Sequence, residues 1–69
     1  MRKYAVVIEP GKRNYSAYVP DLPGCVSTGK TLAQVRRNIR EAIRFHLDGI
    51  REDGDPIPEP VSTCAIVEV

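Results

Sequence analysis

The acidic side chains are the residues of this 69-residue chain best suited to catalysis, as ligands of divalent metal ions. A two-metal nuclease site needs carboxylates that converge from the central strands of a sheet. The extended runs supply only Glu9 and Glu68, each at the end of its run. Five further carboxylates fall in turns, in a helical segment or in a linker: Asp21, Asp48, Asp53, Asp55 and Glu59. We therefore expect no metal site and no nuclease activity.

The histidine, the hydroxyl residues and the cysteines also lack the spacing that a catalytic or metal site needs. His46 is the only histidine, and its neighbours Phe45 and Leu47 belong to a helical pattern, which favours a surface or boundary residue. No serine or threonine lies in a nucleophile elbow, and no glycine-rich phosphate loop occurs. Cys25 and Cys64 match no zinc motif, so we expect two small buried thiols, although their spacing alone allows a disulfide. The sequence predicts neither an enzyme nor a cofactor.

The charges of the chain are nearly balanced. Ten basic and nine acidic residues give a net charge of +1, which provides no general attraction to nucleic acid or to an anionic membrane. Arg36, Arg40 and Arg44 form a row at steps of four that could contact phosphates. Glu41 and Asp48 lie at the spacing at which helical salt bridges form, and no aromatic residue is interleaved for base stacking. Direct nucleic-acid binding is therefore not expected, and an RNA-binding arginine row is kept as an alternative.

Periodicity predicts four strands and one helix. The strands are Tyr4–Glu9, Tyr15–Val19, Cys25–Ser27 and Ser62–Val69. A helical apolar face follows the third strand: Leu32, Val35, Ile39, Ala42, Ile43, Leu47 and Ile50. This helix should run to about Asp53, with Gly54 just beyond its end.

The stretch from 21 to 31 joins the sheet to the helix. Pro23 and Gly24 supply turn chemistry after Asp21, and Gly29 is interpreted as part of a second turn. Thr31 is expected to cap the helix, in a capping box with Gln34. The structural motif residues are Asp21, Pro23, Gly24, Gly29 and Thr31.

The predicted fold is α+β, with element order β-β-β-α-β over a single domain, residues 1–69. A right-handed crossover places the fourth strand beside the first, giving a four-stranded sheet of order 3-2-1-4 with one long helix on one face. The first and last strands are apolar on both faces, although one helix covers only one face. We therefore expect a homodimer, a higher oligomer or a different protein to cover the rest.

Residues 15–31 read Y-S-A-Y-V-P-D-L-P-G-C-V-S-T-G-K-T, and residues 38–43 read N-I-R-E-A-I. With the helix exit at 53–60, these segments resemble the HicB family of antitoxins over nearly the whole chain. The resemblance implies a partial RNase H-like fold. It also implies that this chain is a non-catalytic protein that binds and masks HicA, a small basic toxin that cleaves mRNA. Such antitoxins usually carry a C-terminal DNA-binding domain, which residues 1–69 do not include, so DNA binding is not expected.

A toxin or a second copy should meet an open strand edge or the uncovered sheet face, around Tyr18, Val26 and Ile66. A toxin-less, homo-oligomeric relative is the other outcome that the resemblance allows. A different class of function, a small-ligand or enzyme site shared between chains, also stays open. No membrane segment is expected, since no apolar run approaches ~20 residues, and we expect the protein in the cytoplasm.

Overall fold

The computed structural model describes residues 2–69, which form a small sheet covered on one face by one long helix. The elements are β1 (Val7–Pro10), β2 (Tyr15–Tyr18), β3 (Val26–Gly29) and α1 (Leu32–Glu52). The three strands are antiparallel and lie in the order β1-β2-β3. The α+β class and the β-β-β-α order are thus confirmed.

The predicted fourth strand is wrong, and the four-stranded sheet of order 3-2-1-4 is wrong with it. Residues 53–69 contain no strand, and the segment predicted as strand four, Ser62–Val69, is exposed throughout. A β-branched pattern indicates a strand, but the strand forms only where a second backbone accepts its hydrogen bonds. The first strand also begins later than predicted, at Val7 rather than Tyr4, because β2 ends at Tyr18, opposite Val7.

The strand register separates the two faces of the sheet. Ile8, Ala17 and Ser27 are paired across the three strands, and Ala17 is buried, so this row faces the helix. Side chains alternate between faces along a strand. Their neighbours Val7, Tyr18 and Val26 are therefore paired across the opposite, outer face.

The hydrophobic core lies between the helix and one side of the sheet. Its buried members are Ala17, Val19, Leu22, Cys25, Val35, Ile39 and Leu47. The helix packs on β3 and β2 and makes few contacts with β1. As a result, the helix-facing side of β1 is only partly covered.

The Asp21–Cys25 turn contributes directly to this core. Leu22 is fully buried (0 % exposed), and its N–H donates to the Val19 carbonyl oxygen at 3.0 Å. Gly24 has φ +84°, a conformation that favours glycine, so the prediction for this turn is confirmed.

Gly29 has a different role from the predicted one. It is the last residue of β3, is buried, and does not have a positive φ. A Cβ atom at this position would lie 2.5 Å from the Val35 backbone nitrogen. Glycine is therefore required here because the first turn of the helix packs directly on the strand.

Both helix ends are capped where the sequence predicts, but the capping box predicted for Thr31 and Gln34 is not complete. Thr31 Oγ1 accepts from the Gln34 N–H at 3.0 Å. The Gln34 side chain accepts from the Lys30 N–H, one residue before the position of a capping box. At the other end, Gly54 has φ +75° and its N–H donates to the Arg51 carbonyl, while the Asp55 N–H donates to the Ile50 carbonyl. This pair of bonds is a Schellman motif.

The return segment after the helix packs beside the start of the chain. The Tyr4 hydroxyl donates to the Pro58 carbonyl oxygen, and Arg2 forms an exposed salt bridge with Glu59 at 3.5 Å. Ile57 packs against the core cluster. Within residues 2–69, the helix is too polar to cross a membrane.

Candidate functional site

The outer face of the sheet carries an apolar row that we call the outer row: Val7, Tyr18 and Val26. The register places these three side chains directly beside one another on adjacent strands. Tyr18 is 42 % exposed and Val26 is 64 % exposed. The structure thus brings together two of the residues for which a partner surface was predicted. An exposed tyrosine flanked by β-branched side chains offers a rigid apolar body with one polar hydroxyl, a combination enriched at protein interfaces.

The next row across the same face is polar. It consists of Glu9, Ser16 and Thr28, all exposed. The outer row is therefore bordered on one side by hydroxyls and a carboxylate, as the rim of an interface is around its apolar centre.

Ile66, the third predicted surface residue, is not part of this row. It lies on the C-terminal tail, which we define as residues 63–69, and its side chain is fully exposed (103 %). The prediction placed it beside the others because it assumed a fourth strand in the sheet. Without that strand, Ile66 belongs to a separate surface.

Asp21 connects the turn to the base of this tail. Its Oδ2 accepts from the Val61 N–H at 3.0 Å and from the Ser62 N–H at 2.9 Å, and its Oδ1 accepts from the Ser62 hydroxyl at 2.8 Å. The hydrogen bonds from the Ser62 backbone and side chain lower the pKa of Asp21, because they favour the charged carboxylate. The sequence indicated only a turn residue here, since the partners lie about 40 positions away.

Asn38 is a contact residue that the sequence reasoning missed. Its side-chain Nδ2 donates to the Thr28 carbonyl oxygen at 2.8 Å, which ties the helix to β3. The sequence did offer one indication of this contact, since Asn38 is a polar amide residue within the segment 38–43 that resembles the HicB family. The other structural motif residues, Pro23, Gly24, Gly29 and Thr31, shape the backbone, and their predicted turn and cap roles hold apart from that of Gly29.

A second concave surface lies between β1 and the helix, and we call it the β1–α1 groove. It encloses about 380 Å³ and is lined by Tyr4, Val6, Ile8, Arg36, Ile39 and Arg40. Its floor is apolar, with Val6 and Ile8 half-buried and Ile39 buried, and two guanidinium groups line it from the helix. The groove is open because the helix packs on β3 and β2 rather than on β1.

Most of the predicted salt bridges along the arginine row do not form. Within residues 2–69, the helix has one ion pair, Asp48 with Arg51 at 3.3 Å. No carboxylate of the described residues lies within 4.0 Å of Arg36, Arg40 or Arg44. The positive charge of this helix surface is therefore not neutralised by the described part of the chain.

The two cysteines are free and lie in different environments. Cys25 is buried as predicted, and burial raises the pKa of its thiol. Cys64 is exposed, so the expectation of a second buried thiol is wrong. His46 is half-buried on the helix, as expected for a boundary residue. Residues 2–69 contain no cluster of three or more side chains suited to a metal ion.

One family model matches nearly the whole chain. Residues 4–68 match the family described as the HicB-like antitoxin of bacterial toxin-antitoxin systems. An uncharacterized 14.9 kDa protein of Haemophilus phage HP1 is 43 % identical over 56 residues, which cover 81 % of this chain and 42 % of the phage protein. A UPF0150 protein of Helicobacter pylori is 47 % identical over 47 residues, covering 68 % of this chain and 65 % of that protein. The chain thus matches less than two thirds of the length of either relative.

A solved structure is similar over most of the fold. A chain of the HicA3 and HicB3 toxin-antitoxin complex superposes with a TM-score of 0.75 at 30 % sequence identity. The match covers 87 % of this chain and 70 % of the other.

Proposed function

The chain belongs to the HicB-like antitoxin family, and from this premise we propose that it is a non-catalytic module that binds and masks a HicA-type toxin. The observation that carries the proposal is the outer row, in which Tyr18 and Val26 stand side by side on the open face of the sheet. The similarity to a chain from a toxin-antitoxin complex supports it. Because such a toxin cleaves mRNA, we place the encounter in the cytoplasm.

The distribution of charge favours the sheet face over the helix for this partner. The toxin implied by the family is basic, and the helix presents unpaired arginines to it, among them Arg36, Arg40 and Arg44. Like charges across an interface oppose association. The outer face instead offers Glu9 beside the outer row. We therefore place the toxin on the outer face, with Tyr18 as the central contact.

The experiment is co-expression of the chain with a HicA-type toxin encoded in the same genome, with growth and toxin binding as the measurements. The wild-type chain should restore growth. Tyr18→Arg should weaken toxin binding by roughly tenfold or more, because it replaces a central aromatic side chain by a charge facing a basic partner. Phe45→Arg is the matched control, since Phe45 is an exposed aromatic residue (82 %) on the helix.

Equal rescue by wild type and Tyr18→Arg would show that the toxin binds elsewhere. Failure of the wild-type chain to bind any HicA-type toxin of its genome would remove the antitoxin role and favour a toxin-less relative. Circular dichroism of both variants checks that each one folds.

We also propose that the chain associates with itself, which the half-covered sheet made us expect from the sequence. This association would use a surface other than the outer row, so that masking of a toxin and self-association can occur together.

A further inference from the structure

The charges of this chain are segregated, although their sum is only +1. The hairpin loop and the first half of the helix, residues 11–14 and 30–40, contain no acidic residue. We call their basic side chains the basic end: Lys12, Arg13, Lys30, Arg36, Arg37 and Arg40. Residues 41–59, in contrast, contain six acidic residues and two arginines. The net charge therefore does not describe the basic end, whose local potential attracts polyanions.

The fold brings the two basic segments together. Tyr15, which follows the hairpin loop, is paired with Gly29, so the loop lies beside the start of the helix. Asn14 of the loop and Lys30 line the same polar concavity, which has a volume of about 300 Å³. The first turn of the helix contains no acidic residue, and the helix dipole adds positive potential there.

Three arginines of the basic end surround a depression of about 330 Å³: Arg36, Arg37 and Arg40. All three are exposed, and no carboxylate of the described residues lies within 4.0 Å of them. The expectation against nucleic-acid binding rested on helical salt bridges, which these arginines do not form. A guanidinium group can bind two phosphate oxygens at once, so the depression has the chemistry of a phosphate site.

The shape of the basic end fits a chain of phosphates. The depression is lined by arginines alone, and so it lacks the apolar centre of a protein interface. The charges extend from the hairpin loop to Arg40 instead of converging on one enclosed pocket, as a ligand with one charge per repeat requires. Residues 11–14 and 30–40 contain no aromatic side chain for base stacking. Contacts would therefore be made to the backbone of a nucleic acid, without base preference.

The polar concavity next to the arginines favours RNA over DNA. The Gln34 side-chain oxygen accepts from the Lys30 N–H, which leaves the Gln34 Nε2 group as a donor. Asn38 Nδ2 donates to the Thr28 carbonyl oxygen, which leaves Asn38 Oδ1 as an acceptor. Both side chains line the concavity. A ribose 2′-hydroxyl both donates and accepts hydrogen bonds, and DNA lacks it.

We propose that the basic end binds single-stranded RNA through its phosphates and ribose hydroxyls, without preference for base sequence. The outer row lies on the face of the sheet opposite the helix, so the RNA surface and the proposed toxin surface are separate. The inference therefore goes beyond the proposed antitoxin function and does not depend on it.

Fluorescence anisotropy with a labelled single-stranded RNA oligomer of mixed sequence tests the proposal, and the DNA oligomer of the same sequence is measured in parallel. Wild type should bind the RNA with a dissociation constant below about 100 µM at physiological salt, the weak limit of non-specific binding. It should bind the RNA at least roughly twofold more tightly than the DNA, which corresponds to one net hydrogen bond.

The test variant is Arg37→Gln with Arg40→Gln. It should bind RNA roughly tenfold or more weakly, because two phosphate contacts are lost. The slope of log affinity against log salt concentration should become less steep by about 1.4 for the same reason. The matched control is Arg44→Gln with Arg51→Gln, which removes the same charge from the acidic half of the helix and should keep most of the binding. Circular dichroism checks that both variants fold.

The proposal is overturned if wild type does not bind the RNA, or if the control loses as much affinity as the test variant. Equal affinity for RNA and DNA would overturn the assignment to RNA, and binding that does not weaken with salt would overturn the role of the phosphates. The Tyr18→Arg variant should bind RNA at least as tightly as wild type, so a failure of toxin binding and a failure of RNA binding give different results.

Discussion

The Asp21–Cys25 turn and the C-terminal tail are both short, partly apolar and without regular structure, and each contains one of the two cysteines. In the turn, Leu22 and Cys25 are buried, and backbone hydrogen bonds join Leu22 to Val19 and Cys25 to Leu22. In the tail, Cys64 and Ile66 are exposed, and no backbone bond ties the segment to a strand of residues 2–69. The same kinds of residue thus reach opposite environments.

The difference shows what each segment needs in order to be ordered. The turn satisfies its backbone hydrogen bonds locally and lies beside the core, so Leu22 is buried in the core cluster. A strand cannot satisfy its own backbone, since its donors and acceptors point sideways to a neighbour. The tail therefore depends on an edge outside itself, whereas the turn does not.

The largest predicted effect is the loss of the Leu22 side chain. Leu22→Ala should lower the free energy of unfolding by about 2–5 kcal/mol, because it removes a fully buried side chain and leaves a cavity. That is a large share of the stability of a domain of this size. Val67→Ala in the exposed tail should change it by less than about 0.5 kcal/mol. Urea unfolding measures the free energy of unfolding of both variants, at a protein concentration where the chain is monomeric. If the two variants lost similar free energies of unfolding, the tail would also be packed.

The sequence predicted the parts of the fold that depend on local chemistry. The Thr31 cap and the Gly54 helix end follow from side-chain and backbone rules that act within a few residues. The turn at Gly24 was expected for the same reason, and the apolar period located the helix core at Val35, Ile39 and Leu47.

The features that it could not predict depend on distant partners. The contacts of Asp21 with Val61 and Ser62 join positions that no local pattern relates. Val35 and Gly29 are near each other in the sequence, but their close approach depends on how the helix packs on β3. The fourth strand was wrong because a strand-like composition does not specify its neighbour. For the candidate site, strand alternation was enough to place Tyr18 on an exposed face. Its direct pairing with Val26 required the register.

The two cysteines give a second way to test the contrast between turn and tail. Iodoacetamide should modify Cys64 at least roughly tenfold faster than Cys25 in the folded monomer, because the Cys25 thiol is buried and its pKa is raised. Mass spectrometry of timed samples distinguishes the two sites. In urea the two rates should converge, and comparable rates in the folded state would contradict the burial of the turn.

The smallest predicted effect is that of protonating Asp21, the turn residue that accepts hydrogen bonds from the base of the tail. Hydrogen bonds from Ser62 lower the pKa of Asp21 in the folded chain. The stabilisation from these hydrogen bonds is therefore fully present above the pKa of Asp21 in the unfolded chain. It is lost as the pH falls through the lower pKa of Asp21 in the folded chain. The NMR shift of the Ser62 amide should therefore titrate with a midpoint below about 3.9, the ordinary value for aspartate. Asp21→Asn should abolish that titration while leaving the Leu22 environment intact, because Leu22 is held by its own backbone bonds and by the core. A midpoint at or above the ordinary value would show that the carboxylate does not hold the tail. The base of the tail would then not be coupled to the turn through the Asp21 carboxylate.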